Sequence, residues 1–181
     1  FTNGSALSQS QDGSWYLHIR ATNGAGLTGT TYSGTYQKDA TGPTVSFSPT
    51  PSGSWTTSNI SVTPTASDTL SSVTATQYIW STSSTPPTTG YANFTNGTAL
   101  TQSSDGSWYL HILATNSAGV SSVTSSSTTV PYKKDATAPT ASQIVFNPTT
   151  RSWNSSDISV TVNDSDTSGI SSTQYSWSTT T

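Results

Sequence analysis

The sequence predicts an all-β fold made of tandem β-sandwich domains, and two observations support this. The stretch at residues 12–23, Asp-Gly-Ser-Trp-Tyr-Leu-His-Ile-Arg-Ala-Thr-Asn, recurs at residues 105–116 with Leu for Arg as its one change. In both copies apolar residues occupy alternate positions, which is the period of a strand with one face in a core. No longer window has the apolar spacing of a helix, and prolines interrupt most extended stretches.

The composition agrees with a folded all-β chain. Of 181 residues, 30% are hydrophobic and only 7% are charged, so the chain lacks the charge of most disordered segments. Six Trp, eight Tyr and four Phe supply apolar area for a core, and Thr favours strands because its side chain is β-branched. Since the chain has no cysteine, its stability must come from packing alone.

Charge and hydropathy exclude two classes of partner. The formal net charge is −3, and the five Lys and Arg residues are scattered along the chain. A nucleic-acid partner needs clustered cations, so none is expected. No apolar run approaches the ~18 residues that a membrane-spanning helix needs, so no membrane span is expected either.

The repeat extends beyond the stretch at 12–23 and sets the predicted domain boundaries. Residues 1–7 match 94–100 at an offset of 93, and residues 38–44 match 134–140 at an offset of 96. Proline in the segment 38–43 forbids pairing within a central ladder, which indicates an inter-domain linker. The predicted organisation is the C-terminal half of one domain at 1–37, a complete domain at 38–133, and the N-terminal half of a further domain at 134–181.

Short strands separated by turn signals describe a seven-stranded β-sandwich. Both outer pieces lack most of a partner sheet, so two arrangements remain open. The chain is either a window on a longer array of repeats, or its 134–181 piece completes the 1–37 piece of another copy. The strands expected are 1–7 (a strand or an edge segment), 12–23, 27–37, 44–48, 59–65, 76–81 and the equivalents of these in the other copies.

Several motifs resemble known repeat families. The run Trp-x-Leu-x-Ile-x-Ala-x-Asn-x-x-Gly resembles the sixth strand and hairpin of fibronectin type III and related immunoglobulin-like domains. The Asp-Ala-Thr-x-Pro-Thr linker and the Gln-Tyr-x-Trp-Ser strand are similar to bacterial immunoglobulin-like repeats of secreted and cell-surface proteins. That family commonly carries Asp where Asn23 and Asn116 stand, and Gly-Asn where Gly26-Leu27 and Gly119-Val120 stand.

The resemblance implies an extracellular or cell-surface location and a structural role. The expected function is that of a repeat module in a fibre, stalk, surface layer or adhesin, with other copies of itself as partners, head to tail or within a longer array. The alternative is a carbohydrate-binding or spacer module of a secreted glycan-degrading enzyme, with polysaccharide as partner. One family serves all of these roles, so fold alone does not choose among them.

No catalytic site is expected, and the chain is predicted not to be an enzyme. It contains no glutamate and no Gly-x-Ser-x-Gly motif, which argues against paired-carboxylate and serine hydrolases. His18 and His111 occupy the same place in the two copies, as architectural residues do. Both are predicted to be exposed on strands.

Calcium is the one cofactor considered, because clustered aspartates supply the hard oxygen ligands that it needs. The linker aspartates could join the aspartates of a domain-end turn, and three others are close in sequence. The competing interpretation is that all of them are solvated loop residues. The candidates are Asp39, Asp68, Asp135, Asp157, Asp164 and Asp166.

Exposed aromatic rings could stack on sugar rings, which gives a second set of candidates. They are Tyr16, Tyr109, Trp55 and Trp153. The competing interpretation is that Trp55 and Trp153 cover the end of the sandwich core.

Overall fold

The computed structural model describes residues 1–139, 145–147, 153, 155 and 157–179, with the backbone alone for 145–147. Within these residues the chain is all-β, without a helix. The strands are β1 Gly13–Thr22, β2 Thr28–Lys38, β3 Thr44–Ser48, β4 Trp55–Thr56, β5 Ile60–Ser67, β6 Val73–Ser81, β7 Ala92–Asn93, β8 Leu100–Gln102, β9 Gly106–Asn116, β10 Ser121–Ser125, β11 Tyr132–Lys134, β12 Val145–Asn147 and β13 Thr161–Asn163.

Residues 44–134 form a β-sandwich, here called the central sandwich. One sheet has the order β3-β5-β8, and the other has the order β4-β11-β9-β6-β7 with β10 also paired to β9. Neighbouring strands are antiparallel except β4 and β11, which are parallel. The predictions of an all-β chain and of sandwich architecture are confirmed. This segment contains nine strand segments, or six if the two-residue strands β4 and β7 are set aside and β10 and β11 are counted as one split strand.

The core of the central sandwich lies between the two sheets. Strand alternation puts one apolar face of β5 against one apolar face of β9, so each sheet covers the other. Tyr78, Trp80, Phe94 and Trp108 are partly buried at its margin. The fully packed core residues are Ile60, Val62, Leu100, Leu110, Ile112 and Tyr132.

Strand β9 confirms the alternation predicted for the repeated stretch. Leu110, Ile112 and Ala114 are all 0% exposed. The preceding Asp-Gly turn places Gly106 at φ +132°, where a Cβ would lie 3.3 Å from the indole nitrogen of Trp108. That nitrogen donates to the carbonyl of Ser104 at 3.1 Å, so the turn and the ring fix each other.

The second copy of the repeat is longer than the first, and the extra residues lie between β10 and β11. Both segments pair with the same edge of β9, and residues 126–131 leave the ladder between them. Ser126 Oγ accepts from the N–H of Leu110 at 3.1 Å. In the first copy, Ser33 Oγ accepts from the N–H of Leu17 at 2.8 Å, at a bulge in an otherwise continuous strand β2. The same hydroxyl therefore satisfies the same backbone group in both copies.

Strands β1 and β2 form an antiparallel hairpin, here called the first hairpin, with Gly13 opposite Lys38 and Thr22 opposite Thr28. The predicted return strand at 27–37 is confirmed by β2. Residues 1–7, predicted as a strand or edge segment, form no strand, although the equivalent of Leu7 is Leu100 at the start of β8. A strand exists only where a partner completes its ladder, and β8 has β5 beside it.

Strands β12 and β13 repeat the pairing of β3 and β5 in the same register. Phe146 stands opposite Val162, as Phe47 stands opposite Pro64. The prediction that the pattern of strands 44–48 and 59–65 recurs near the C-terminus is met for this pair. The division of the whole chain into domains at 37 and 133 remains a prediction.

His18 and His111 differ in burial, so the prediction that both are exposed is wrong for His111, which is 0% exposed. Its Nε2 donates to the carbonyl of Ser83 at 3.0 Å, and its Nδ1 pairs with the hydroxyl of Ser125 at 2.8 Å. The outer face of β9 is thus covered by the loop after β6 and by β10. Within the described residues no such loop lies over the first hairpin, and His18 is exposed beside Tyr32.

Candidate functional site

Asp12, in the turn before β1, binds the linker at residues 38–43 from the side of the first hairpin. We call this the rear contact. Lys38 Nζ donates to Asp12 Oδ1 at 2.5 Å, and Thr41 Oγ1 donates to Asp12 Oδ2 at 2.9 Å. Both carboxylate oxygens are therefore engaged by the segment that leaves β2. The Lys38 contact is charge-assisted, which makes it stronger than a neutral hydrogen bond, and it is partly screened by solvent at this half-exposed position.

Asp39, within the same linker, binds residues of the central sandwich. We call this the front contact. Asp39 Oδ1 accepts from the N–H of Thr41 at 3.0 Å, which folds the linker on itself. Its Oδ2 accepts from the hydroxyl of Ser71 at 2.6 Å and from Nδ2 of Asn116 at 3.0 Å. Both of these partners belong to the central sandwich, so Asp39 joins the linker to the following unit.

Asn116 is the centre of this contact and is 1% exposed. Its Oδ1 accepts from the N–H groups of Ala118 and Val120 at 3.2 and 2.9 Å, which shapes the turn after β9. Its Nδ2 faces the linker and lies 2.8 Å from the carbonyl oxygen of Thr41. One amide thus orders the turn with its oxygen and binds the linker with its nitrogen.

Asp68 completes the group from the turn after β5. Its Oδ2 lies 3.2 Å from Nδ2 of Asn116, and its Oδ1 accepts from the N–H groups of Leu70 and Ser71 at 3.0 Å each. Those two N–H groups lower the pKa of Asp68, with Asn116 contributing in the same direction. The carboxylates of Asp39 and Asp68 are consequently held side by side by a neutral amide.

The second linker repeats the rear contact. Lys134 Nζ forms an ion pair with Asp105, and Thr137 Oγ1 donates to Asp105 Oδ2 at 2.8 Å. Lys134 is 5% exposed, so this pair is better shielded from solvent than its equivalent in the first linker. The lysine is the main cause that lowers the pKa of Asp105, as Lys38 is for Asp12.

The front contact recurs at the second linker in part. Asp135 Oδ1 accepts from the N–H of Thr137 at 3.0 Å, and its Oδ2 accepts from the N–H of Ser168 at 3.0 Å. The N–H of Ser168 also lies 3.0 Å from Asp166 Oδ1, which brings the two carboxylates together. The N–H of Thr137 is the largest cause that lowers the pKa of Asp135, followed by Asp166. We call each linker with its rear and front contacts a junction clamp.

The structure brings together the calcium candidates of each junction, Asp39 with Asp68 and Asp135 with Asp166. It does not bring Asp157 or Asp164 to them: Asp157 is exposed, and Asp164 accepts from the hydroxyl of Thr173 at 2.6 Å. Among the described residues, no group of three or more acidic, histidine or cysteine side chains is arranged to hold a metal ion. Calcium binding at the paired aspartates stays a prediction.

The four aromatic candidates do not form one surface. Tyr16 is exposed in the first hairpin, Tyr109 is half-buried in β9, and Trp55 lies half-buried in β4 with Lys133 Nζ 5.4 Å from its ring centre. Trp153 is fully exposed, so the interpretation that it covers a core is wrong for the chain as it stands. The same interpretation for Trp55 stays untested, since its shown neighbour is Lys133 in β11. Sugar binding by these residues stays a prediction.

The sequence analysis recognised the linkers and the Asp-Gly turns but missed the contacts between them. Lys38, Thr41, Ser71 and Asn116 were not among the candidate residues. A signal was available, since Asp-Gly and Lys-Asp-Ala-Thr recur together in both copies. Asn116 recurs as Asn23 in the repeated stretch, but nothing in the sequence shows that it or Ser71 contacts the linker, because only the fold brings them there.

Comparison of the chain with protein-family models and with curated proteins finds no match. The part of the chain that the structure describes has no helix long and apolar enough to cross a membrane.

Proposed function

We propose that this chain is a structural repeat module of an extracellular or cell-surface protein, and that it acts in spacing and linear assembly. The units would be tandem seven-stranded immunoglobulin-like sandwiches, one complete and two partial, in a fibre, stalk, surface layer or adhesin. The observation that carries the proposal is the junction clamp, whose rear contact occurs at both linkers with the same residue types and whose front contact recurs in part. The extracellular location rests on the resemblance to bacterial immunoglobulin-like repeats.

A clamp of this kind suits a module that must hold its neighbours at a fixed distance. The rear contact joins the linker to the hairpin before it through Asp12, and the front contact joins it to the sandwich after it through Asp39. Only a few residues separate the two contacts, so little free chain remains between the units. Tandem units joined in this way form a rod rather than a flexible string.

Packing of the linker against the following unit adds to this restraint. Pro43 is buried, and its carbonyl accepts a hydrogen bond from the hydroxyl of Ser122 in β10. A Cβ at Gly42 would lie 3.1 Å from the Cβ of Ser122, so glycine allows the linker to approach β10 closely. The linker is therefore attached to the central sandwich along most of its length.

Trypsin cleavage after Lys38 tests the clamp, because the bond is accessible only when the linker opens. Ser71→Ala and Asn116→Ala remove donors to Asp39 without changing the residues around the scissile bond. We expect cleavage to become several-fold faster in the first variant and about tenfold faster in the second, measured by mass spectrometry of the products.

Ser72→Ala is the matched control, since Ser72 is exposed and adjacent to Ser71. Its cleavage rate should equal that of the unmodified chain. If neither Ser71→Ala nor Asn116→Ala changed the rate, the linker would not be held by these contacts and the proposal would lose its main support.

A further inference from the structure

His111 is buried in β9 and uses both of its ring nitrogens. Nε2 lies 3.0 Å from the carbonyl oxygen of Ser83, and Nδ1 lies 2.8 Å from Oγ of Ser125. A carbonyl oxygen can only accept a hydrogen bond, so Nε2 carries the ring hydrogen. In the neutral ring Nδ1 then has the lone pair, and the hydroxyl of Ser125 donates its hydrogen to that nitrogen.

This is the arrangement of a nucleophile with its general base. Activated hydroxyls in proteins lie ~2.6–3.2 Å from the base, and a third group orients the base from its other side. Here Ser125 is the hydroxyl, His111 is the base, and the carbonyl of Ser83 is the orienting group. A carbonyl fixes the tautomer of the ring but stabilises an imidazolium less than a carboxylate does. The site therefore suits a single transfer rather than rapid turnover.

Neighbouring residues exclude water from the ring and leave the hydroxyl partly exposed. His111 is 0% exposed, and Ile79 of β6 stands opposite it. Gly90, in the loop that also carries Ser83, approaches Ile79 so closely that a Cβ on Gly90 would lie 3.3 Å from Cδ1 of Ile79. Ser125 is half-buried at the end of β10, which pairs only with β9 among the described strands. A small molecule can therefore reach the hydroxyl of Ser125 while the base behind it stays dry.

The histidine recurs in the repeat, but the serine does not. Tyr32 stands opposite His18 in the first hairpin, at the register position that Ser125 has opposite His111. A tyrosine hydroxyl lies at the far end of an aromatic ring and cannot take the place of a serine hydroxyl. The serine–histidine pair is thus specific to one copy and is not part of the framework that the copies share.

We propose that Ser125 is a covalent acylation site activated by His111, and that its acyl donor is an activated carboxylic ester. Oγ of Ser125 attacks the ester carbonyl, a C–O bond forms, and the hydroxyl proton passes to Nδ1 of His111. The bond from the carbonyl carbon to the leaving oxygen then breaks, and that oxygen takes the proton from Nδ1 and departs as an alcohol. His111 ends as the neutral ring and Ser125 as an ester, so no further reactant is needed.

The acyl group should remain on Ser125 after transfer. Rapid hydrolysis would need hydrogen-bond donors aimed at the developing oxyanion. The adjacent backbone N–H, that of Ser126, already donates to the carbonyl of Leu110 at 2.8 Å. The expected outcome is one acyl group per chain, which is modification rather than catalytic turnover.

Acetylation by p-nitrophenyl acetate tests the proposal on the full folded chain. We expect an acetyl group on Ser125, located by tandem mass spectrometry, and a rate there about a hundredfold above that at Ser121, at the lower end of what a positioned base contributes. Ser121 is the internal control, because it lies in the same strand on the same face. Its hydroxyl also makes a hydrogen bond of 2.8 Å, but its partner is the hydroxyl of Thr115.

Three substitutions separate the roles of the two residues. Ser125→Ala should remove the rapid acetylation, whereas Ser121→Ala should leave it unchanged. His111→Gln keeps a donor for the carbonyl of Ser83 but supplies no base, so acetylation of Ser125 should fall to the rate at Ser121.

Because His111 is buried, circular dichroism and a melting curve must show that His111→Gln folds. If it does not, the unmodified chain in concentrated urea provides the same comparison, since the fold then no longer holds the base beside Ser125. The preference for Ser125 over Ser121 should disappear there.

The inference would be overturned by acetylation of Ser125 no faster than that of Ser121 in the folded chain. It would also be overturned if Ser125 kept its rate in a folded His111→Gln variant or in urea, because the activation would then not come from His111. None of these results bears on the trypsin measurements of the junction clamp, so failure of this inference and failure of the proposed function are distinguishable.

Discussion

Nδ2 of Asn116 donates a hydrogen bond of 3.0 Å to Oδ2 of Asp39, although the two residues are 77 positions apart in the chain. The contact joins the end of β9 to the linker, and the same Nδ2 also faces Asp68 at 3.2 Å. A neutral donor between two carboxylates reduces their repulsion and costs less to bury than a charge. This amide orders the first junction together with the hydroxyl of Ser71, which also donates to Asp39.

Replacing Asn116 by Asp would turn the first junction into a cluster of three carboxylates. The acceptors for the turn after β9 are kept, but the donor to Asp39 and Asp68 is lost. We expect the melting temperature to fall by several degrees without calcium, and to recover when calcium is added, because the cluster then supplies hard oxygen ligands.

Differential scanning fluorimetry with and without calcium measures this effect. Asn93→Asp is the control, since Asn93 is exposed and hydrogen-bonded to Gln77 rather than to a carboxylate. An Asn116→Asp variant as stable as the unmodified chain without calcium would contradict the role assigned to the amide.

Lowering the pH should destabilise the second junction, because Asp105 becomes protonated. Lys134 holds the pKa of Asp105 below its usual value of 3.8, so the folded chain binds fewer protons here than the unfolded chain does. This stabilisation is fully present above pH 3.8 and is lost as the pH falls through the lower pKa of the folded state.

The measurement is urea unfolding at a series of pH values below 5. Asp105→Asn should be less stable than the unmodified chain at pH 7 and should lose less of its remaining stability in acid. Asp157→Asn, at an exposed position, is the control and should follow the unmodified chain. Identical acid profiles for Asp105→Asn and the unmodified chain would rule out the ion pair as a source of the pH dependence.

Alkali should destabilise the central sandwich through Tyr132. Burial raises the pKa of Tyr132 to about 12, whereas the unfolded chain loses this proton near pH 10. Between these values the folded state retains a proton that the unfolded state releases, so stability falls by about 1.4 kcal/mol per pH unit.

Tyr132→Phe should reduce this alkaline loss, and the part that remains includes that of Tyr91, whose pKa burial also raises. At neutral pH it should cost about 1 kcal/mol, because the carbonyl of Pro49 loses the hydroxyl that donates to it at 2.6 Å. Tyr16→Phe, at an exposed position, is the control for both effects. Denaturant unfolding at pH 7 and at pH 11 measures them, and an unchanged alkaline slope in Tyr132→Phe would refute the assignment.

Equivalent leucines of the two copies should differ in their contribution to stability. Leu110 is fully buried, so Leu110→Ala should cost about 2–5 kcal/mol through lost burial and a cavity. Leu17→Ala should cost less than about 1 kcal/mol at concentrations where the chain is monomeric, because Leu17 is already partly exposed. Chemical denaturation of both variants provides the comparison. Equal costs in the free energy of unfolding would mean that Leu17 is as buried as Leu110.

Some features of the fold follow from local pattern alone. Leu110, Ile112 and Ala114 alternate with polar or less buried residues, and a two-residue period places them on one face whatever their partners are. Turn residues behave similarly, as the Asp-Gly pair before β9 does. Tandem repetition is likewise visible in the sequence, since it needs only comparison of the chain with itself.

Other features depend on which strands become neighbours. His111 looks like an exposed residue in the pattern of β9, yet Ser83 and Ser125 cover it. Leu7 and Leu100 stand in nearly identical segments, but only Leu100 has a partner strand beside it and becomes buried. Sequence likeness therefore predicts equivalent residues without predicting equivalent surroundings.

The sequence by itself determined the all-β class, the repeat and the core-facing side of each strand, because these depend on residue spacing along one strand. Only the tertiary structure decided that Asn116 and Ser71 hold the linker at Asp39 and that Ser83 and Ser125 cover His111. Hydrogen bonds and burial between residues far apart in sequence arise when the chain folds back on itself, and local spacing contains no record of that.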